Sequence, residues 1–291
     1  MNETSDAAPT VSLPDGSRFP ALGLGTWHMG ERARTRADEI AAVRLALQLG
    51  YRLIDTAEMY GEGGAEQVVG AALKSAFDDG IVRREDVTIV TKVYPHNASR
   101  AGVVAACDRS LARLGLDHVD LYLLHWQGQH PLAETVAGFE RLVDAGKIRR
   151  WGVSNFDRDA MAALRRVHGG EACAANQVYY SASERGIEFD LLPWQRELGI
   201  PTMAYCPIDQ GALAAEPVFA AIGARHGATA AQAALAWLLR HRDVIAIPKA
   251  VREMHLRENF EATRVRLGAQ DLAEVDALFP PPDDATPLAM L

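Results

Sequence analysis

The sequence predicts an α/β fold, a (β/α)8 TIM barrel with an N-terminal β-hairpin and extra C-terminal helices. Eight short apolar runs are centred near residues 22, 53, 90, 122, 151, 175, 203 and 246, and a stretch with helical spacing of apolar residues follows each one. The runs are almost continuously apolar, as strands are when a parallel sheet is covered on both faces. Eight such units over about 250 residues are typical of a closed barrel.

The elements follow one another in a regular order. Pro14-Asp15-Gly16 separates two short apolar runs, which predicts a hairpin over about residues 10–20. The strands are then predicted in LGLGTW, YRLID, DVTIVTKV, HVDLYLLHW, IRRWGVSNF, CAANQVYY, IPTMAYCPI and VIAIPKA. The helices between and after them are predicted in ADEIAAVRLALQLG, GAEQVVGAALKSAF, SRAGVVAACDRSLARLG, PLAETVAGFERLVDAG, DRDAMAALRRV, FDLLPWQRELG, EPVFAAIGARHG, TAAQAALAWLLRHR, MHLRENFEATRV and GAQDLAEVDALF, before a Pro-rich tail at 280–291.

A doubly wound open sheet is the alternative fold. Such a sheet usually has a glycine-rich phosphate turn after its first strand. The corresponding segment here is GLGTWH, which lacks the third glycine at the required position. No linker with a shift in composition divides the chain, so we expect residues 1–291 to form a single domain.

Composition excludes several classes of protein. With 48% hydrophobic and 23% charged residues the chain is typical of a globular protein, and its net charge of −8 disfavours nucleic acid or an anionic membrane as a partner. Three cysteines do not suggest a disulfide framework. The polar start MNETSDAAPT is not typical of a signal peptide, and no apolar run approaches the ~18 residues of a membrane span. We expect a cytoplasmic protein without a metal, and a monomer rather than an oligomer.

Polar residues stand where consecutive strands end. Asp55, Lys92 and His125 end the second, third and fourth strands, and Tyr60 follows Asp55 by five positions. Each alone has an ordinary structural explanation, such as a buried ion-pair partner or a packed ring. In a barrel, however, all strand ends meet at one rim, where catalytic residues lie. Four polar groups at one apolar mouth must satisfy one another, which favours a site.

Several segments carry a family resemblance. GYRLIDTAEMYGEGGAEQVVG, IVTKVYP, DLYLLHW, KIRRWGVSNF, NQVYY, MAYCPI and IPKAVREMHLREN resemble, in this order, segments of the aldo-keto reductase superfamily. The resemblance covers nearly the whole chain. Within the superfamily, IDTAEMYGEGGAEQVVG, HWQGQHPLAETVAGFERLVDAGKIRRWGVSN and RGIEFDLLPW resemble a bacterial branch known for methylglyoxal reductase activity.

The resemblance implies a catalytic role for four residues. Tyr60 would be the general acid that protonates the substrate oxygen, and His125 would orient the carbonyl. Lys92 would lower the pKa of Tyr60 from its ordinary value near ~10 toward the working range. Asp55 would hold Lys92 in its charged form by a salt bridge, because burial alone would favour the neutral amine.

The resemblance also implies a nicotinamide cofactor, NADP(H) by preference with NAD(H) as the alternative, and a small carbonyl compound as substrate. Trp27 and Trp126 would wall the substrate pocket. The cofactor residues would be Gly25, Thr26, Ser154, Asn155, Gln177, Tyr205, Cys206, Pro207, Ile208, Lys249, Ala250, His255, Glu258 and Asn259.

Two segments depart from the family pattern. Cys206-Pro207-Ile208 replaces Ser-Pro-Leu and is followed by Asp209, which we expect to repel a pyrophosphate. His255 stands where the family has an arginine, so the cationic site for a 2′-phosphate would depend on pH.

Two other functions compete with carbonyl reduction. Lys92 could be the nucleophile of a Schiff-base aldolase, although Asp55 would keep it charged and unreactive. The chain could also be a non-catalytic nicotinamide-sensing subunit, although it has no long added segment to dock a partner. For a reductase, the short loop 127–131 and the short tail predict a shallow, open pocket and small aldehydes or 2-oxoaldehydes as substrates rather than steroids.

Overall fold

The structure is a computed structural model and describes residues 9–291. Its centre is a sheet of eight parallel strands that lie side by side in chain order. These strands are β3 (Leu24–Gly25), β4 (Leu53–Asp55), β5 (Thr88–Val93), β6 (Leu121–Leu124), β7 (Trp151–Ser154), β8 (Asn176–Tyr179), β9 (Thr202–Tyr205) and β10 (Val244–Ala246). Sequential order excludes the doubly wound alternative, whose strand order reverses at a switch point.

Backbone contacts between the first and last strands close the sheet into a barrel. The amide of Gly23 donates to the carbonyl of Ala246 at 2.9 Å, and the amide of Gly25 donates to that of Pro248 at 3.0 Å. A Cβ at Gly25 would lie 2.7 Å from the Ile247 carbonyl oxygen, so only glycine permits this approach. The predicted (β/α)8 barrel is confirmed.

At least one helix follows each barrel strand, as predicted. The helices are α1 (Arg36–Leu49), α2 (Gly64–Asp78), α3 (Arg100–Leu114), α4 (Leu132–Asp144), α5 (Arg158–Arg165), α6 (Leu191–Glu197), α7 (Pro217–Arg225), α8 (Ala230–Leu239), α9 (Glu253–Glu261) and α10 (Ala269–Leu278). Neighbours in the chain pack together from α1 to α4, and α9 packs against α1. Within residues 9–291, none of the helices has the length and apolar character needed to cross a membrane.

The predicted hairpin is also present and fills one end of the barrel. Its strands are β1 (Thr10–Ser12) and β2 (Arg18–Pro20), which pair antiparallel. Val11 and Phe19 are buried in the same cluster as the inward-facing Leu53, Val90 and Leu121 of the barrel. The hairpin therefore closes this end of the barrel interior, which opens at the opposite end, where the strands finish. Most of the segment predicted not to be a signal peptide, residues 1–8, lies outside the described residues, and the single domain stays a prediction.

The last helix is held by one buried carboxylate. Asp271 Oδ2 accepts a hydrogen bond from the Gly268 amide at 2.8 Å, which caps the start of α10. The other oxygen accepts from Arg225 Nη2 at 2.7 Å, at the end of α7, and His226 Nε2 lies 2.8 Å from Oδ2. Burial raises the pKa of Asp271, but these hydrogen bonds and charges together outweigh it and lower the pKa to about 2. Asp271 thus positions the helix that leads into the tail.

We predict that Asp271→Asn lowers the free energy of unfolding at pH 7 by about 2 kcal/mol, the value that corresponds to this pKa shift. Because the folded-state pKa is lowered, the stabilisation is present above the unfolded-state pKa near ~4 and is lost as pH falls toward about 2. Urea unfolding at pH 7, 5 and 3 measures it, with the exposed Asp284→Asn as a matched control. A difference between Asp271→Asn and the unmodified protein that does not change with pH would contradict this account.

Candidate active site

An ion pair lies at the open end of the barrel. Lys92 Nζ is 2.7 Å from Asp55 Oδ2, and the two side chains are 0% and 2% exposed. Nζ also donates to the carbonyl oxygen of Thr56 at 2.9 Å and to the hydroxyl of Tyr60 at 3.2 Å. Three acceptors match the three N–H donors of an ammonium group. The geometry therefore corresponds to a charged lysine between a carboxylate and a phenol.

Strand alternation brings these groups together. Side chains two residues apart share a face of the sheet. Asp55 follows the inward-facing Leu53, and Lys92 follows the inward-facing Val90, which is opposite Asp55 in the sheet register. In the same way His125 follows Leu123, and Gln177 follows Ala175. The polar layer is thus the next layer of side chains above the apolar interior of the barrel.

The turn after β4 presents the phenol. Gly61, Glu62 and Gly63 all have left-handed backbone conformations, with φ of 57°, 50° and 86°. Two of the three are glycines, which adopt such angles without steric cost. The turn directs Tyr60 back over the barrel mouth, where its ring lies 4.8 Å from Lys92 Nζ.

Burial and charge act in opposite directions on the ion pair. Burial raises the pKa of Asp55, while the Lys92 charge and the hydrogen bonds from Lys92 and Gln177 lower it. Burial lowers the pKa of Lys92, while Asp55 raises it. Burial is the larger effect on both groups, so the pKa of Asp55 is raised overall and that of Lys92 is lowered overall, and each charge depends on the partner that offsets this burial.

The predicted lowering of the Tyr60 pKa is wrong for the protein alone. Burial raises the pKa of Tyr60 well above its ordinary value, and the charge of Asp55 raises it further. The half-buried phenol therefore holds its proton throughout the neutral range. That is the form in which a general acid starts, and the adjacent ammonium can stabilise the phenolate that remains after proton transfer.

His125 stands beside the phenol as a neutral imidazole. Its ring centre is 5.7 Å from that of Tyr60, at an interplanar angle of 74°. Burial lowers the pKa of His125 well below its ordinary value, and Lys92 lowers it further. Among the described residues Nδ1 has no hydrogen-bond partner. The imidazole can therefore act through Nε2 as a hydrogen-bonding group without carrying charge.

Four of the residues expected to bind the nicotinamide cofactor form one hydrogen-bonded group. The hydroxyl of Ser154 and the amide of Asn155 both donate to the Gln177 carbonyl oxygen at 2.8 Å. The Tyr205 hydroxyl donates to Asn155 Oδ1 at 2.9 Å. Thr26 also lines the site, and its hydroxyl donates to the backbone carbonyl oxygen of Asp55 at 3.0 Å.

A cavity of about 650 Å³ joins these groups. Of the residues predicted for the site, Lys92 and Ala250 are outside its wall: Lys92 lies behind the phenol and Ala250 is buried. The predicted residues that line it are Gly25, Thr26, Trp27, Asp55, Tyr60, His125, Trp126, Ser154, Asn155, Gln177, Tyr205, Cys206, Pro207, Ile208, Lys249, His255, Glu258 and Asn259.

The loop after β9 contains the acidic residue expected to repel a pyrophosphate. Cys206 lines the cavity, and burial raises the pKa of its thiol to about 11, with a further contribution from Asp209. Asp209, however, is not among the lining residues. Its carboxylate accepts hydrogen bonds from the Tyr179 hydroxyl and, at 3.1 Å, from the Ser183 hydroxyl. These contacts orient the carboxylate toward Tyr179 and Ser183, but its charge still acts on Cys206 at the cavity wall, so the expected repulsion of a phosphate stays a prediction.

The opposite end of the cavity carries basic side chains and is exposed to solvent. Lys249 and His255 supply them, and both are exposed residues that line the wall. Glu258 and the buried Asn259 lie beside them on α9. The cavity therefore runs from a buried ion pair to a basic patch at the surface.

Sequence reasoning missed several wall residues. The start of α8 and the segment before α7 contribute small residues to the wall, among them Gly211, Ala214, Ala230 and Ala231, which permit close approach of a ligand. Met290 and Leu291 were missed because the tail was expected to leave the mouth open; instead Leu288 packs on the core and the last residues reach the cavity. The missed residues are His28, Met59, Gln210, Gly211, Ala214, Thr229, Ala230, Ala231, Ile247, Pro248, Met290 and Leu291.

Comparison with known proteins gives consistent results. Residues 21–279 match the model of the Aldo/keto reductase family. The chain is 47% identical to "Methylglyoxal reductase YeaE" of Escherichia coli, over 94% of this chain and 95% of that protein. It is 33% identical to "Glyoxal reductase" of Bacillus subtilis, over 92% of each chain.

Solved structures give the same result. An aldo-keto reductase from Klebsiella pneumoniae in complex with NADPH superposes with a TM-score of 0.91 at 47% identity, covering 98% of this chain and 100% of that one. A structure from the same organism with NADP and acetate has a TM-score of 0.92 at 46% identity, with the same coverage. Together with the family match over residues 21–279, these likenesses show that the chain belongs to the aldo/keto reductase family.

Proposed function

We propose that the protein reduces small aldehydes and 2-oxoaldehydes such as methylglyoxal, with NADPH as the hydride donor and Tyr60 as the general acid. The observation that carries this proposal is the chain Asp55–Lys92–Tyr60, which ends on the wall of the cavity. Family membership and the names of the relatives support the reaction class and the substrate class.

The donor set of the cavity fits a nicotinamide cofactor. Ser154, Asn155 and Gln177 supply hydroxyl and amide groups at the buried end, which suit a carboxamide, and the ring of Tyr205 provides a flat apolar face. Lys249 and His255 supply basic groups at the exposed end, which suit a phosphate. The cofactor would supply the hydride.

The residues of the chain would supply position and the proton. A carbonyl oxygen placed between the Tyr60 hydroxyl and His125 would receive a hydrogen bond from each. As negative charge develops on this oxygen, Tyr60 donates its proton. Lys92 then stabilises the phenolate, and Asp55 keeps Lys92 charged. Preformed donors directed at developing charge are a large source of rate enhancement.

The structure argues against both alternative functions. A Schiff-base nucleophile must reach its substrate, but Lys92 is 0% exposed and lies outside the cavity wall. It is also held as an ammonium by Asp55. A purely sensing subunit would not need a phenol hydrogen-bonded to a buried lysine at the cavity wall. Reduction is therefore the function that the geometry supports best.

The size of the cavity suits a small substrate beside a large cofactor, and Trp27 and Trp126 would bound the substrate end. A panel of carbonyl compounds tests the substrate class, and a ketosteroid as the best substrate would contradict it.

The cytoplasmic location and the monomeric state stay predictions.

We predict that Tyr60→Phe lowers kcat for methylglyoxal by ~10²–10⁴, because loss of a general acid typically costs this much. The dissociation constant of NADPH should change little, since the phenol is needed for proton transfer rather than for binding. NADPH oxidation followed by its absorbance gives kcat, and fluorescence quenching gives the dissociation constant.

Tyr94→Phe is the matched control for this variant. The Tyr94 hydroxyl donates to Glu62 at 3.1 Å outside the cavity, so this substitution should retain most of the activity. If Tyr60→Phe keeps more than half of kcat while chemistry limits the rate, the assigned role of Tyr60 is wrong.

We predict a preference for NADPH over NADH that depends on Lys249 and His255. Lys249→Met should weaken NADPH by ~1.5–3 kcal/mol, the value of a charge-assisted hydrogen bond, and should leave NADH almost unchanged. Fluorescence quenching gives the dissociation constants of both cofactors.

Two further variants test this assignment. His255→Arg should tighten NADPH and leave NADH almost unchanged, because a guanidinium can pair with a phosphate through two hydrogen bonds. Lys74→Met removes an exposed lysine of α2 outside the cavity and should affect neither cofactor. Equal dissociation constants for the two cofactors in the unmodified protein would refute the preference, and an NADPH dissociation constant that His255→Arg does not change would refute the role of His255.

A further inference from the structure

We infer that Gln177 is a positioning residue that couples the nicotinamide site to the buried ion pair: its side-chain amide holds Asp55 and also lines the cavity. This inference rests on the proposed function and deepens it, because it assigns Gln177 a second task beyond contact with a cofactor.

The contact between Gln177 and Asp55 spans the barrel. Gln177 Nε2 donates to Asp55 Oδ1 at 2.8 Å, although the two residues are 122 positions apart. β4 and β8 are the second and sixth of the eight strands, so they face each other across the barrel. Gln177 is 1% exposed and lines the cavity wall together with Asp55. A single side chain therefore touches both the acid and the space proposed for the cofactor.

With this contact, each oxygen of the Asp55 carboxylate accepts a hydrogen bond from a side chain. Asp55 Oδ2 accepts from Lys92, and Oδ1 accepts from Gln177. Lys92 in turn donates to Asp55, to the carbonyl oxygen of Thr56 and to Tyr60. A buried carboxylate that loses one donor becomes a weaker acid. The charge state of Lys92 would then depend on the side-chain amide of Gln177 on the opposite strand. Through Lys92, the ease with which Tyr60 gives up its proton would depend on the same amide.

The other side of Gln177 joins the remaining site residues. Its carbonyl oxygen accepts from the Ser154 hydroxyl and from the Asn155 amide, each at 2.8 Å. Asn155 Nδ2 donates to the His125 carbonyl oxygen at 3.1 Å, and Tyr205 donates to Asn155. Of these neighbours only Gln177 has a side chain bonded to the Asp55 carboxylate, so Ser154 provides a matched control.

Several other titratable side chains lie near the ion pair. Tyr60 and His125 face it from the turn after β4 and from β6, Tyr205 and Cys206 lie at the end of β9, and Glu66 faces Lys92 from α2. The hydrogen bond from Gln177 lowers the pKa of Asp55. Removing it should raise that pKa, so that Asp55 is protonated, and Lys92 loses its counter-charge, at a higher pH than before.

The test compares Gln177→Met, which keeps the length of the side chain and removes the donor, with Ser154→Ala. In Gln177→Met, the acidic limb of the pH profile of kcat should move to higher pH by about one unit, a tenfold change in proton affinity. In Ser154→Ala the NADPH dissociation constant should rise, while the acidic limb should stay in place. A merely structural role for Gln177 would change the thermal midpoint without moving the limb.

A second readout uses the protein without cofactor. Infrared difference titration reports the carboxylic-acid band of Asp55, assigned by its loss in Asp55→Asn. The band should appear at higher pH in Gln177→Met than in the unmodified protein and in Ser154→Ala. Superimposable titrations would overturn the inference. Because this readout needs no turnover, it remains decisive for Gln177 even if Tyr60→Phe proves active and the proposed function fails.

Discussion

The buried ion pair of Asp55 and Lys92 is the interaction on which the rest of the site depends. Removing two charges from water is costly, and a buried pair is stable only when its remaining hydrogen-bonding groups are also satisfied. Here Gln177, Thr56 and Tyr60 supply those partners at 2.8, 2.9 and 3.2 Å. A well-packed apolar pair in the same place would stabilise the fold about as well. The value of the ion pair lies in placing a fixed positive charge behind a phenol.

The barrel makes this arrangement possible because it seals one end and opens the other. The hairpin fills the end where the strands begin, and an apolar layer that includes Leu53, Val90 and Leu123 separates it from the polar layer above. Closure through Gly25 brings the first and last strands together, so the ion pair and the basic patch at Lys249 adjoin one cavity. Asp271 and the C-terminal helix then direct the tail to the same mouth.

Much of this could be predicted from the sequence, and the reason is geometric. Parallel strands in a barrel all finish at one rim, so strand ends alone place Asp55, Lys92 and His125 together. Three features could not be predicted in this way. The contact of Gln177 with Asp55 joins opposite strands, the sign of the Tyr60 pKa shift depends on burial, and the course of the tail depends on tertiary packing by Leu288. None of these leaves a local pattern in the sequence.

A double-mutant cycle on Asp55→Asn and Lys92→Met tests the central claim most directly. Single-turnover reduction of methylglyoxal with cofactor already bound isolates the chemical step. If Asp55 acts through Lys92, each substitution should slow that step by ~10²-fold or more, and the double variant should be no slower than Lys92→Met alone, since residues that act as a unit are strongly non-additive. Independent effects that multiply in the double variant, or a Lys92→Met rate close to that of the unmodified protein, would contradict the account.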